Sequence, residues 1–188
     1  MQIHPGLVIR GVIFGCIVVI VLTTFITANA TFPVKASEQA SGLTQSESGA
    51  CPISQNYPKK VRRWCDLIKQ YAEKNDLPPN LVAALIWQES GGDPNAYSKS
   101  GAVGLMQVMP RDGIAAKFKC INGPCFAKRP TIAKLEDPDF NIEFGVRMLA
   151  GLVKRHGSLR EALKAYGPMD VGYYYADKVL GIYKKYGG

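Results

Sequence analysis

From Lys59 to Asn75 the apolar residues Val61, Trp64, Cys65, Ile68, Tyr71 and Ala72 fall on one stripe at helical spacing. No segment of the chain alternates polar and apolar residues convincingly with a period of two, the mark of a half-buried strand. The chain must therefore build its core from helices. Leu77-Pro78-Pro79-Asn80 breaks the first helix, and a proline suits the first turn of the next, Leu81 to Ser90, which is mostly apolar and stopped by Gly91-Gly92. Gly101 to Met109 reads as a glycine-punctuated turn and short helix, and Arg111–Phe118 as another short helix. Asp137-Pro138 opens a long helix that runs to about His156, where Gly157 ends it. Ser158-Leu159-Arg160-Glu161 has the form of a capping box for a helix to about Tyr166. Gly167-Pro168 breaks that helix, and Val171 to Tyr186 is the last. The expectation is an all-α domain of about six or seven helices, without internal repeats of 20–50 residues.

That domain occupies residues 51–188. Gly11 to Val34 carries no charge, and behind Arg10 the run to Ile26 is almost continuously apolar. A charged start, an apolar centre and the small-x-small run Ala28-Asn29-Ala30 read as a secretory signal over residues 1–30, cleaved after Ala30. The rival is an uncleaved anchor holding the protein at the membrane through residues 11–28. Either way the rest of the chain is exported to the cell envelope or beyond, with Arg10 left on the cytoplasmic side. Residues 31–50, rich in Ser, Ala, Gln, Gly and Thr without periodicity, read as a flexible linker.

Of the five cysteines, Cys16 lies in the leader, where it reads as a membrane-buried thiol. Cys51, Cys65, Cys120 and Cys125 remain, an even number in an exported domain, which favours two disulfides. Three pairings are possible; the local one joins Cys51 to Cys65 and Cys120 to Cys125. Zinc is disfavoured: the spacings are not C-x2-C, and His156 is the only histidine outside the leader. No cofactor or metal is expected.

Glu89 lies at the end of the apolar helix with Leu85 and Ile86 as its i−4 and i−3 neighbours. Apolar surroundings disfavour the charged carboxylate and so retain its proton, as a general acid at a glycosidic oxygen requires. Asp93, beyond Gly91-Gly92 and before Pro94, reads as a turn residue rather than a nucleophile.

Glu89-Ser90, then Gly104-Leu105-Met106-Gln107, then Ala165-Tyr166, in this order and spacing, resemble the lysozyme-like catalytic domain of the soluble lytic transglycosylases. Asp137-Pro138 with Asn141-Ile142 and Gly145, and Tyr175 four residues before Val179, resemble it too, so the likeness runs from about Lys59 to Tyr186. It implies a lysozyme-like α or α-rich α+β fold with a glycan-binding groove. It also implies cleavage of the β-1,4 bond between N-acetylmuramic acid and N-acetylglucosamine in peptidoglycan, with 1,6-anhydro-muramyl ends. By position, Glu89 matches the single catalytic acid/base and Ser98 a serine that orients the muramyl acetamido group. Met106, Gln107 and Met109 match groove-lining residues, Tyr166 the tyrosine of an Ala-Tyr-Asn motif, and Tyr175 a late tyrosine beside the catalytic pocket. Met106 and Met109 fit a helix core as readily as a groove. Asn141 reads as a local hydrogen bonder early in its helix. One departure stands out: Ala165-Tyr166-Gly167 lacks the motif's asparagine.

Two alternatives follow from the same residues, a hydrolytic lysozyme-type muramidase and a peptidoglycan-binding protein without catalysis. Composition narrows the rest. The net charge of +8 falls entirely in residues 51–188, since Arg10 and Lys35 are balanced by Glu38 and Glu47. An exported chain whose basic clusters are not interleaved with stacking aromatics is no nucleic-acid binder. The charge reads instead as a basic surface that draws a monomer to the anionic glycan strands of the wall.

Overall fold

Seven α-helices order the domain among residues 50–187, which the computed structural model describes. The expectations for the leader and nearly all of the linker lie outside those residues. The helices are α1 (Lys59–Arg62), α2 (Cys65–Lys74), α3 (Pro79–Ser90), α4 (Ile132–Leu135), α5 (Pro138–His156), α6 (Leu159–Tyr166) and α7 (Tyr174–Tyr186). Among the described residues strand is confined to a hairpin of two two-residue strands, β1 (Lys119–Cys120) and β2 (Gly123–Pro124), paired antiparallel. The all-α expectation holds.

The hub is α3. Leu81 to Ile86 are all completely buried, so this helix is apolar on nearly every side, as a helix enclosed by others must be. It packs chiefly against α7, with α2 and α1 on its other flanks. Each fully buried Leu, Val or Ile here contributes about 1.5–3 kcal/mol through removal of apolar surface from water. Pro79 lies in its first turn, where a missing N–H costs nothing. Gly91, left-handed at φ 64°, ends it.

A second layer, α5 and α6, closes over α2 and α7. Asp137 caps α5 by accepting the N–H groups of Asp139 at 2.9 Å and Phe140 at 3.4 Å, and left-handed Gly157 stops it. Only half of the capping box forms at α6. Ser158 Oγ accepts Glu161 N–H at 3.2 Å, but the Glu161 carboxylate accepts the Tyr173 hydroxyl at 2.6 Å instead of reaching back.

Four boundaries differ from the sequence reading. The helix expected over Lys59–Asn75 is broken at Arg63–Trp64, where Trp64 leaves helical geometry (ψ 12°) and its indole N–H donates to Gly92 O at 3.0 Å. That bond ties the break to the end of α3. The short helix expected within Gly101–Met109 is absent; the segment is a folded loop with isolated bridges Tyr97–Val103 and Val103–Val108. Arg111–Phe118 contains a 3-10 turn at Gly113–Lys117 rather than an α-helix. The last helix starts at Tyr174, three residues later than expected. The two disulfides are Cys51–Cys65, beside the core, and Cys120–Cys125, across the hairpin. The local pairing is the one formed.

Candidate active site

The distant motifs Glu89-Ser90 and Gly104-Leu105-Met106-Gln107 form one hydrogen-bonded unit. The Ser90 hydroxyl at the end of α3 faces Leu105 O at 2.9 Å and Ile86 O at 3.2 Å, and accepts Gly92 N–H at 3.2 Å. The 103–107 loop is clamped from the other side by Asn141, a completely buried polar residue on α5. Its Oδ1 accepts Met106 N–H at 2.9 Å, and its Nδ2 donates to Val103 O at 2.9 Å and Leu135 O at 2.8 Å. Gly104 is needed twice over. It is left-handed at φ 77°, and a Cβ there would lie 2.3 Å from Asn141 Nδ2. Gln107 is also left-handed, at φ 45°, and its amide donates to Ala96 O at 3.1 Å and Gly104 O at 3.0 Å. Those bonds hold a conformation that is uncommon for a side chain with a Cβ.

Glu89 occupies the last turn of α3 with its carboxylate accepting the Tyr175 hydroxyl of α7. Burial pushes the Glu89 carboxyl up from its ordinary 4.5 to about 7, and the Tyr175 bond offsets part of that rise. The group therefore holds a proton near neutrality and can release it. Tyr175 is itself buried; burial first, then the nearby Glu89 charge, drives its pKa far above the usual phenol value, so it remains a donor. Tyr166, at the end of α6, donates to Met106 O at 2.8 Å. It too is raised well above its ordinary value, by burial and then by the charge of Glu89, with Arg129 opposing. Glu89, Tyr175, Tyr166 and the 103–107 loop thus meet at one place.

Position 167 belongs to the same cluster. Its backbone is extended (φ −75°, ψ −172°), so no left-handed turn demands a glycine. The demand comes from Tyr175: a Cβ on Gly167 would lie 2.3 Å from the ring's Cδ1 and 2.5 Å from Cγ. The ring whose hydroxyl holds Glu89 lies directly on the Gly167 backbone. The missing asparagine has this physical counterpart.

The remaining expected residues divide. Ser98 is half-buried, and its Oγ accepts Ala102 N–H at 2.8 Å, which leaves its own proton to donate elsewhere. Met109 is half-buried on the same loop as Gln107. Met106 is a correction: its side chain is completely buried, with its sulfur so close to Gly145 that a Cβ there would lie 2.5 Å away, and it offers the site only its backbone carbonyl. Asn141 is another, because its bonds to Met106 and Val103 reach 35 and 38 residues away rather than staying local. Asp93 is exposed, with Oδ1 accepting Asn95 N–H at 2.9 Å, a turn residue as expected. Sequence reasoning missed Arg129, whose charge acts on Tyr166 only because the fold brings the two near each other. A separate concavity of about 570 Å³ between α3 and α7, lined by Trp87, Ile182 and Tyr186 among others, includes none of the expected site residues. Among the described residues no three His, Cys, Asp or Glu side chains gather as a metal site.

Residues 66–172 match the transglycosylase SLT domain family. The membrane-bound lytic murein transglycosylase E of Buchnera aphidicola is 34% identical over 100 residues, covering 53% of this chain and 44% of that protein. The endo-type membrane-bound lytic murein transglycosylase A of Citrobacter koseri is 33% identical over 101 residues, covering 54% of this chain and 47% of that one. The chain therefore spans less than half the length of these relatives. Among solved structures, the lytic transglycosylase Slt of Pseudomonas aeruginosa, an inactive mutant, is 22% identical with a TM-score of 0.48, covering 63% of this chain and 23% of that one. The 70 kDa soluble lytic transglycosylase of Escherichia coli is 30% identical with a TM-score of 0.43, covering 63% and 18%. The family match takes in more than half of the chain, from α2 past α6, and the chain belongs to the transglycosylase SLT domain family.

Proposed function

We propose that this protein is a peptidoglycan lytic transglycosylase of the cell envelope, with Glu89 as its single acid/base. The carrying observation is the carboxyl of Glu89: desolvated at the end of a buried helix, raised to about 7, and held by a tyrosine that stays protonated. Family membership and the names of the curated relatives supply the substrate.

The reaction needs one carboxyl and no water. Neutral Glu89 gives its proton to the glycosidic oxygen as the C1–O bond breaks, and the muramyl acetamido oxygen bonds to C1 in its place. Glu89, now a carboxylate, takes the proton of the 6-hydroxyl of the same sugar. That oxygen displaces the acetamido oxygen at C1, closing a 1,6-anhydro ring. The proton has moved from O6 to the leaving oxygen, and Glu89 is restored. Tyr175 supports the carboxylate half of the cycle by donating to it. Ser98, with its hydroxyl proton free of the Ala102 contact, is suited to orient the acetamido group. Gln107 and Met109 lie on the loop that would face the sugar, and Tyr166 fixes that loop through Met106 O. Export by the 1–30 leader, or anchoring through residues 11–28, would deliver the domain to this substrate.

Mass spectrometry of muropeptides from walls treated with wild type and Glu89→Gln tests this reading. The expected result is anhydro-muramyl products, lighter by one water than hydrolytic ones, which vanish in the variant while the fold survives. Reducing-end products from wild type would make the protein a muramidase; turnover retained in Glu89→Gln would remove Glu89 from its role.

A further inference from the structure

Four cations that are scattered along the sequence converge beside the candidate site. Arg111, Lys128, Arg129 and Lys134 wall a concavity of about 240 Å³, with Phe140 and Phe144 of α5 contributing its apolar surface. The two rings are stacked at 6.1 Å. The Arg129 guanidinium stands 5.8 Å from the Phe144 centroid, and Lys134 Nζ 5.8 Å from that of Phe140. The walls are fixed to each other: Arg111 N–H donates to Pro130 O at 2.9 Å, and Asp112 Oδ1 accepts Ile132 N–H at 2.9 Å. None of the four cations forms an ion pair among the described residues, whereas Arg147 nearby on α5 is already paired with Glu143. Arg129 is half-buried, and burial pulls its guanidinium below the ordinary value. Surface cations ordinarily point apart into water. Here they line one hollow, and the nearest wall carboxylate, Asp112, is bonded to Ile132 N–H and in no ion pair with them, an arrangement that a bound anion would relieve.

Position identifies the anion. Arg129 is close enough to Tyr166 for its charge to act on that hydroxyl, and Tyr166 stands in the same relation to Glu89. Arg111 follows Met109 of the candidate groove by two residues. The muramyl sugar carries a peptide on its lactyl ether, and that peptide bears free carboxylates beyond its first residue. We propose that the pocket of Arg111, Lys128, Arg129 and Lys134 binds a carboxylate of this stem peptide, so that the protein prefers peptide-bearing over bare glycan. The proposal rests on the reading that peptidoglycan is the substrate, and it deepens that reading by naming the part of the substrate recognised.

The test is isothermal titration of a soluble stem tetrapeptide into the full chain and into an Arg111→Gln/Lys128→Gln/Lys134→Gln variant whose fold is verified by circular dichroism. The same titration is repeated with the carboxyl-amidated peptide and with inorganic phosphate. The expected result is binding of the free-acid peptide that weakens about tenfold or more on amidation and by a similar factor in the variant. In activity assays, the ratio of kcat/KM on peptide-bearing to peptide-free glycan falls about tenfold in the variant. Equal binding of free-acid and amidated peptide, no binding of either, or an unchanged ratio overturns the proposal. Phosphate binding as tight as the peptide does so too, because the pocket would then be a general anion site. Wild type that binds the peptide but cuts no glycan refutes the parent reading alone.

Discussion

Glu89 should make the domain less stable above neutral pH, and replacing it should reveal by how much. In the unfolded chain its carboxyl titrates near 4.5, and in the folded protein near 7, with burial as the main cause. A carboxyl whose folded pKa is raised is neutral in both states below pH 4.5, so the fold bears no penalty there. As the pH climbs from 4.5 the unfolded chain ionises first, and folding must hold a proton or bury a charge. The stability lost this way is complete once the pH has passed through the folded value of about 7. The difference between the two values corresponds to about 3 kcal/mol. Glutamine has the same shape, never ionises, and keeps a carbonyl oxygen to accept the Tyr175 hydroxyl. Glu89→Gln should therefore match wild type within about 1 kcal/mol at pH 4 and exceed it by about 3 kcal/mol at pH 8.5. In melting temperature that is a gap of roughly 10 °C for a domain of this size. Urea denaturation with the disulfides intact, followed by circular dichroism at several pH values, measures it directly. A stability difference that stays flat from pH 4 to 8.5 would refute the desolvation argument, and with it the reason for assigning Glu89 as the acid.

The other predictions concern the supports of that carboxyl. Tyr175→Phe removes a bond that lowers the Glu89 pKa, so the alkaline limb of the pH–activity profile should move to higher pH; a limb that stays put or moves down contradicts this. Asn141→Ala leaves Met106 N–H and Leu135 O without their partner and takes from Val103 O one of its two donors, Val108 N–H remaining, a cost of about 3 kcal/mol, readable by chemical denaturation. Because the loop it clamps faces the site, activity should fall even under conditions where the variant remains folded. Replacing both Cys51 and Cys65 by alanine opens a loop with a sequence separation of 14 and should cost about 3 kcal/mol. The same change at Cys120 and Cys125, separated by 5, should cost about 2 kcal/mol, so thermal melts should rank the two pairs in that order.

Where structure follows from signals a few residues apart, it was readable in the sequence. Asp137-Pro138 and Gly157 bracket α5 because capping is local chemistry, and Gly91 ends α3 for the same reason. Disulfide pairing followed proximity along the chain. The 101–109 segment does not form the short helix expected within it, because its fold is imposed by Asn141 from α5 and by a left-handed Gln107. Nothing near Met106 in the sequence announces that. Glu89 was found through its apolar neighbours and its resemblance to a family, but its partner Tyr175 is 86 residues away. The cationic pocket was invisible for a similar reason: Arg111 meets Arg129 only when the backbone bond to Pro130 closes the loop between them.

The contact between the Tyr175 ring and the Gly167 backbone gives the order of mutations at this site a direction. Any side chain gained at 167 meets the ring at once, yet after 175 has become small the same gain is free of that clash. Of the two single-step routes to a chain with a side chain at 167, one passes through a disturbed acid and the other through an acid that has merely lost its donor. The two positions should therefore behave as a sign-dependent pair in any library of variants, and neighbouring sequences that fill 167 should have moved the late tyrosine's ring elsewhere.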